Sequence, residues 1–187
     1  MVQVPIKAIT LAEFLQQPET QPASEFINGQ IVQKPMPQGE HSLIQGELVT
    51  AINAVLKPAK IARAFPELRC TFGDDTVVPD VAVFRWDRIP RTAEGRIANH
   101  FAIAPDWTIE ILSPGQSPTK VIKKIFHCIT HGTQCGWLID TQEQVVLTYG
   151  PTLHSGLFEA PDALLPVPDF AQDFRLTFGV LFGWLME

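Results

Sequence analysis

The stretch Trp107-Thr108-Ile109-Glu110-Ile111-Leu112-Ser113-Pro114 decides the fold. Its β-branched and large apolar residues, closed by Ser-Pro, spell a buried strand. Next comes a helix from Pro118 to His131, with a stripe of Val121, Ile122, Ile125, Phe126 and Ile129. Ser117 stands at its N-cap, Pro118 in its first turn and Gly132 just past its end. Trp137-Leu138-Ile139-Asp140 reads as a second buried strand, with Val145 to Tyr149 as its hairpin partner. Strand, helix and strand in that order imply a right-handed crossover between parallel strands. The expectation is an α/β fold, a mixed central sheet flanked by helices.

Upstream, residues 9–17 predict a short helix with Thr10 and Glu13 as a capping box, stopped by Pro18. Residues 25–32 predict a hairpin around Asn28-Gly29, because a type I′ turn needs positive φ at both positions. From Glu40 to Leu56, Leu43, Ile44, Leu48, Ala51, Ile52 and Val55 share a helical stripe. Ile61 to Phe72 reads as a strand that Pro66 bends or confines to an edge, and residues 73–76 as a turn. Val77-Val78-Pro79-Asp80-Val81-Ala82-Val83-Phe84 is another apolar strand, which begins at Pro79 or lies at an edge. Residues 85–106 are loop-like, and the Pro- and Phe-rich tail has room for a short strand and a final helix. No repeat or linker divides the chain, so one domain over residues 1–187 is expected.

At 187 residues and 45% apolar content, the core can be substantial. No apolar run reaches the ~18 residues that span a bilayer, so no membrane partner is expected. The N-terminus lacks the layout of a secretory signal. Cys70, Cys128 and Cys135 are odd in number and form no CxxC, which suits a reducing cytoplasm. A net charge of −6 argues against nonspecific coating of nucleic acid, but not against a nuclease whose acids hold metal. Arg85, Arg88, Arg91 and Arg96 cluster after Asp80, either as a basic rim or as a solvated loop.

A lone carboxylate inside an apolar strand is costly unless it is paired, protonated or holding a cation. Glu110 and Asp80 are two such acids. Together they could hold Mg²⁺, which accepts one or two carboxylates and fills its octahedron with water and phosphate. Such an ion polarises a phosphoryl oxygen and acidifies a bound water. A nearby lysine would orient that water or neutralise developing charge. The plainer alternatives are a Pro-Asp turn for Asp80 and a buried arginine pair for Glu110.

The succession Val78-Pro79-Asp80-Val81-Ala82-Val83, Ile109-Glu110-Ile111-Leu112-Ser113-Pro114, Lys124, then Gly132 with Trp137-Leu138-Ile139-Asp140, resembles the Uma-two family. That family belongs to the PD-(D/E)XK, or restriction-endonuclease-like, superfamily. The resemblance extends upstream through Leu11–Leu15, Glu25–Val32 and His41, and covers roughly residues 9–150. It implies a restriction-endonuclease-like core with an added N-terminal helix and hairpin. It also implies a metal-dependent endonuclease that cuts phosphodiesters, in DNA above all, using Mg²⁺ or Mn²⁺. Asp80 and Glu110 match metal ligands, with the Ile111 carbonyl as a further contact. The chain departs from the superfamily pattern at Leu112, where XK would place lysine. In the family that lysine has moved to the following helix, at Lys124, with Lys120 one turn earlier as the other candidate. A long side chain can bridge from helix to strand end. Lys123 points about 100° away from Lys124 and reads as solvated.

His41 matches a family position near a helix start, where capping or solvation is the plainer role. Glu47 shares its helix, and Glu25, on an N-terminal strand, faces solvent by default. Relatives commonly have tyrosine where Cys128 stands. The class implies a homodimer cutting one strand per subunit, with the Phe-rich tail offering a contact. Substrate phosphates would cross the strand ends and meet some of the arginines. The rival function is a noncatalytic nucleic-acid- or protein-binding module that keeps the fold. His127 and His131 have zinc-binding spacing, but Cys128 stands where the zincin pattern needs glutamate. Cys135 reads as a small core residue.

Overall fold

The computed structural model describes residues 9–151 and 155–186. Its elements are α1 (Leu11–Leu15), β1 (Ser24–Ile27), β2 (Gln30–Gln33), α2 (Gly39–Leu56), β3 (Ala62–Pro66), β4 (Cys70–Phe72), β5 (Asp75–Val77) and β6 (Val81–Arg85). They continue with β7 (Trp107–Leu112), α3 (Pro118–Thr130), β8 (Cys135–Asp140), β9 (Val145–Tyr149), β10 (Gly156–Phe158) and α4 (Phe178–Gly183). Thr10 and Glu13 close the capping box on α1. Asn28 and Gly29 take φ of 51° and 76°, which sets Glu25 opposite Val32 in the hairpin.

One sheet runs β10-β9-β8-β7-β6-β3 and a smaller one runs β2-β1-β5-β4. β7 and β8 are parallel through the α3 crossover, while β6 runs antiparallel to β7. The apolar run at 77–84 is two strands, not one. β5 ends in the small sheet, Val78-Pro79-Asp80 crosses over, and β6 begins in the large sheet. Pro79 has no N–H for a ladder, so the change of sheet falls there. Residues 61–72 divide the same way: β3 ends at Pro66, at the edge of the large sheet, and β4 pairs with β5. The three-residue β10 is too short to show a period in the sequence.

α2 buries Ile44, Leu48, Ile52 and Leu56 against Val81 and Val83 of β6 and Trp107, Ile109 and Ile111 of β7. Its buried stripe is thus an i, i+4 row, and Leu43 and Val55 fall outside it, 40% and 39% exposed. Phe174, Phe178 and Phe182 pack into the same cluster. These three tail phenylalanines are therefore core residues, while Leu164 and Val180 of the tail stay exposed. On the opposite face, Val121 and Ile125 of α3 pack against Leu112 and Leu138. Gly136 permits that approach, since a Cβ there would collide with Ile125. Strand side chains alternate faces, so Glu110, between Ile109 and Ile111, points away from α2 and toward α3. No helix among the described residues is long and apolar enough to cross a membrane.

Candidate active site

Four segments distant in sequence meet at one end of the large sheet. They are the β1–β2 hairpin, the first turns of α2, the crossover before β6, and β7 with α3. Asp80 precedes β6 with its side chain 3% exposed. Its Oδ1 lies 2.5 Å from Lys34 Nζ. Its Oδ2 accepts the Ile111 N–H at 2.7 Å and lies 3.2 Å from His41 Nε2. The Asp80 carbonyl accepts from Gln45 Nε2 and the Glu67 N–H. His41 and Gln45, one turn apart, thus come from the same face of α2.

Beside Asp80, Lys124 reaches in from α3. Its Nζ lies 2.7 Å from Glu110 Oε2 and donates to Glu25 Oε1 at 2.9 Å. Glu25 Oε1 also accepts the Val78 N–H at 2.7 Å. Glu110 Oε1 is buried and, among the described residues, has no hydrogen-bond partner. A narrow cleft opens over Asp80, walled by Lys34, Pro35, Pro37, His41, Ser113 and Gln116. Ile111 also lines it. An extended residue presents its N–H and C=O on one side, so the Ile111 carbonyl leaves toward Asp80 as its N–H does.

The charges are unequally matched. Burial works against charge on Asp80, but Lys34 and His41 outweigh it and hold the carboxyl below the usual carboxylate range. Burial pushes Glu110 up to about 8; Lys124 pulls against it and the Asp80 charge adds to it. Burial also opposes charge on Lys124, yet the two carboxylates it bridges keep it above an ordinary lysine. Lys124 has two acids, whereas Glu110 has half of one cation.

The structure thus brings together Asp80, Glu110, Ile111, Lys124 and His41. Lys120 and Lys123 are exposed on α3, so the lysine that reaches the acids is Lys124. His41 neither caps α2 nor faces solvent; it is 6% exposed and turned to Asp80. Glu25, expected at the surface, is 5% exposed, because the small sheet folds that face of β1 toward α3. Glu47 remains half-exposed on α2. β6 carries Arg85 roughly 16 Å from Asp80 at ~3.3 Å per residue. There Arg85 pairs with Asp87 and Arg88 with Asp106. His127 stacks on Phe72 with ring centroids 4.9 Å apart, and the His131 ring lies 4.5 Å from that of His127. The pair thus packs as aromatics, with His127 Nδ1 also 3.7 Å from Asp75 Oδ2. The residue sequence reasoning missed is Lys34. The hairpin register could have found it: Lys34 lies two residues beyond Val32, the partner of Glu25, and so on the same face.

A restriction-endonuclease-like sheet that carries acids and a lysine at one strand end defines a class, the restriction-endonuclease-like nucleases. The chain belongs to the Uma-two family, described as "Putative restriction endonuclease", whose profile matches residues 11–179. Among solved structures, the crystal structure of "a putative nuclease" from Anabaena variabilis is 63% identical. The match covers 95% of this chain and 99% of that one, with a TM-score of 0.93. No curated protein matches the chain.

Proposed function

We propose that the protein is a Mg²⁺- or Mn²⁺-dependent endonuclease that hydrolyses phosphodiester bonds in DNA in the cytoplasm. The observation that carries this is the Lys124 ammonium at 2.7 Å from Glu110. It supplies from a helix the charge that the superfamily pattern places two residues after the acid. The donor set also suits a hard divalent ion: two carboxylates, one with a buried unpartnered oxygen, and a backbone carbonyl. Asp80, Glu110 and the Ile111 carbonyl would hold that ion, which supplies Lewis acidity and a more acidic water.

The chain's own groups do the rest. Lys124 orients the attacking water and neutralises charge gathering on the phosphoryl oxygens. Glu25, itself fixed by the Val78 N–H, holds Lys124 in place and charged. His41 and the Ile111 N–H fix the Asp80 carboxylate. A single cluster of this kind cuts one strand, so a double-strand cut calls for two copies related by two-fold symmetry.

Incubation with supercoiled plasmid and Mg²⁺ or Mn²⁺ tests this. Wild type is expected to nick and linearise the plasmid, with EDTA stopping the reaction and Glu110→Ala abolishing it. Equal background cutting by both proteins would favour the noncatalytic binding module. A monomer mass by light scattering would remove the homodimer.

A further inference from the structure

We propose that Lys34 is the resident cation of Asp80 and that a divalent ion enters the site by displacing it. The inference rests on the assignment of Asp80 and Glu110 as ion ligands. Lys34 Nζ is held at 2.5 Å by Asp80 Oδ1 and at 2.9 Å by the Val78 carbonyl, with the side chain 8% exposed. The two oxygens of Asp80 are held differently. Oδ2 has two partners, His41 and the Ile111 N–H, both fixed in regular elements. Oδ1 is held by Lys34 alone among the described contacts. An ion that takes Oδ1 competes with Lys34 directly.

Charge points the same way. Glu25, Asp80 and Glu110 are all acids of this cluster, and Lys34 and Lys124 are its ammonium groups. With all three acids ionised, a divalent ion added to both lysines would leave a buried cluster net positive. The same ion in exchange for one lysine leaves it neutral, and a desolvated net charge is the costly state.

The two lysines are not equivalent in this exchange. Lys124 is 4% exposed inside α3 and bridges two carboxylates. Lys34 holds one carboxylate and one carbonyl, from the segment between β2 and α2 that walls the cleft. Its ammonium can swing outward on four single bonds, into the cleft where a substrate phosphate would lie. Lys34 thus keeps the acids apart from solvent and preorganised before the ion arrives.

Two measurements test this. Calorimetric titration of Mn²⁺ into metal-free protein is expected to show Lys34→Gln binding at least about tenfold tighter than wild type, the low end of coupling between close buried charges. Lys34→Arg, which keeps the charge, is expected to stay near wild type. If wild type binds Mn²⁺ and a folded Lys34→Gln binds no tighter, the exchange is wrong while the Asp80–Glu110 assignment stands. If no chain binds Mn²⁺, both are wrong. Lysine acylation of wild type, read by mass spectrometry, does not depend on the variants folding. Lys34 is expected to react faster with Mg²⁺ present, with Lys120 unchanged as the reference. Lys34 equally protected with and without Mg²⁺, in protein shown to bind the ion, would overturn the proposal.

Discussion

The two ends of β6 both bury an aspartate, and they hold it in different ways. At the far end Asp106, 1% exposed, accepts the Arg85 N–H through Oδ2 and Arg88 Nη1 through Oδ1. Each oxygen has a donor, both donors lie within about one turn of chain at the end of β6, and Arg88 is 31% exposed to water. At the near end Asp80 draws on the segment after β2, on α2 and on β7, and its neighbour Glu110 keeps an oxygen without a partner among the described residues. Burial of an acid is therefore not what separates the candidate site from a structural brace. The difference lies in acids outnumbering ammonium groups, partners from remote segments, and a cleft that reaches them.

The largest expected effect separates the lysines of α3. Lys124→Met should lower metal-dependent cleavage about a hundredfold or more, the size seen when one charge-stabilising donor is removed. Lys120→Met should leave the rate within about twofold, as a solvated residue does. Plasmid-nicking rates on folded variants check both, and equal losses would erase the distinction between the two positions.

Next comes the brace. Asp106→Asn should cost about 2 kcal/mol of stability, as loss of charged hydrogen bonds does, while cleavage per folded molecule holds. Urea unfolding measures the first and the nicking assay the second. A loss of activity without loss of stability would make the two ends of β6 alike after all.

The smallest effect is in pH. An unfolded Glu110 carboxyl titrates near 4.5 and the folded one near 8. Between those values the folded state binds the extra proton, so Glu110's contribution to metal-free stability is full below about 4.5 and lost as pH rises through about 8. Asp80 works in the opposite sense: its contribution is present above its ordinary 3.8 and is lost as pH falls below that. Thermal melts without metal should therefore weaken from pH 5 to pH 8, by on the order of a few kcal/mol at most. Glu110→Gln should flatten that slope, and an unchanged slope would place the titration elsewhere.

Much of this was legible in the chain. The strand–helix–strand order around Glu110 implied the parallel pair, and the family resemblance pointed to Lys124, while helix phase set aside Lys123 but left Lys120 on the same face. What was hidden depends on how the small sheet lies against α3. Nothing local to Glu25 marks it as buried, and Lys34 looks like any basic residue between a glutamine and a proline. Only the Asn28-Gly29 register connects them. Arg85 follows Asp80 closely in sequence, but an extended strand sets it roughly 16 Å away. The His127–His131 pair had a ligand's spacing, but its rings pack against Phe72 and against each other.

The central claim is that Asp80, Glu110 and the Ile111 carbonyl share one divalent ion beside Lys124. Anomalous diffraction from crystals soaked in Mn²⁺ tests it most directly. A single strong peak within coordination distance of both carboxylates is the result expected. A peak at the histidine pair, or a well-ordered site with both acids still on their lysines and no manganese, would contradict the account.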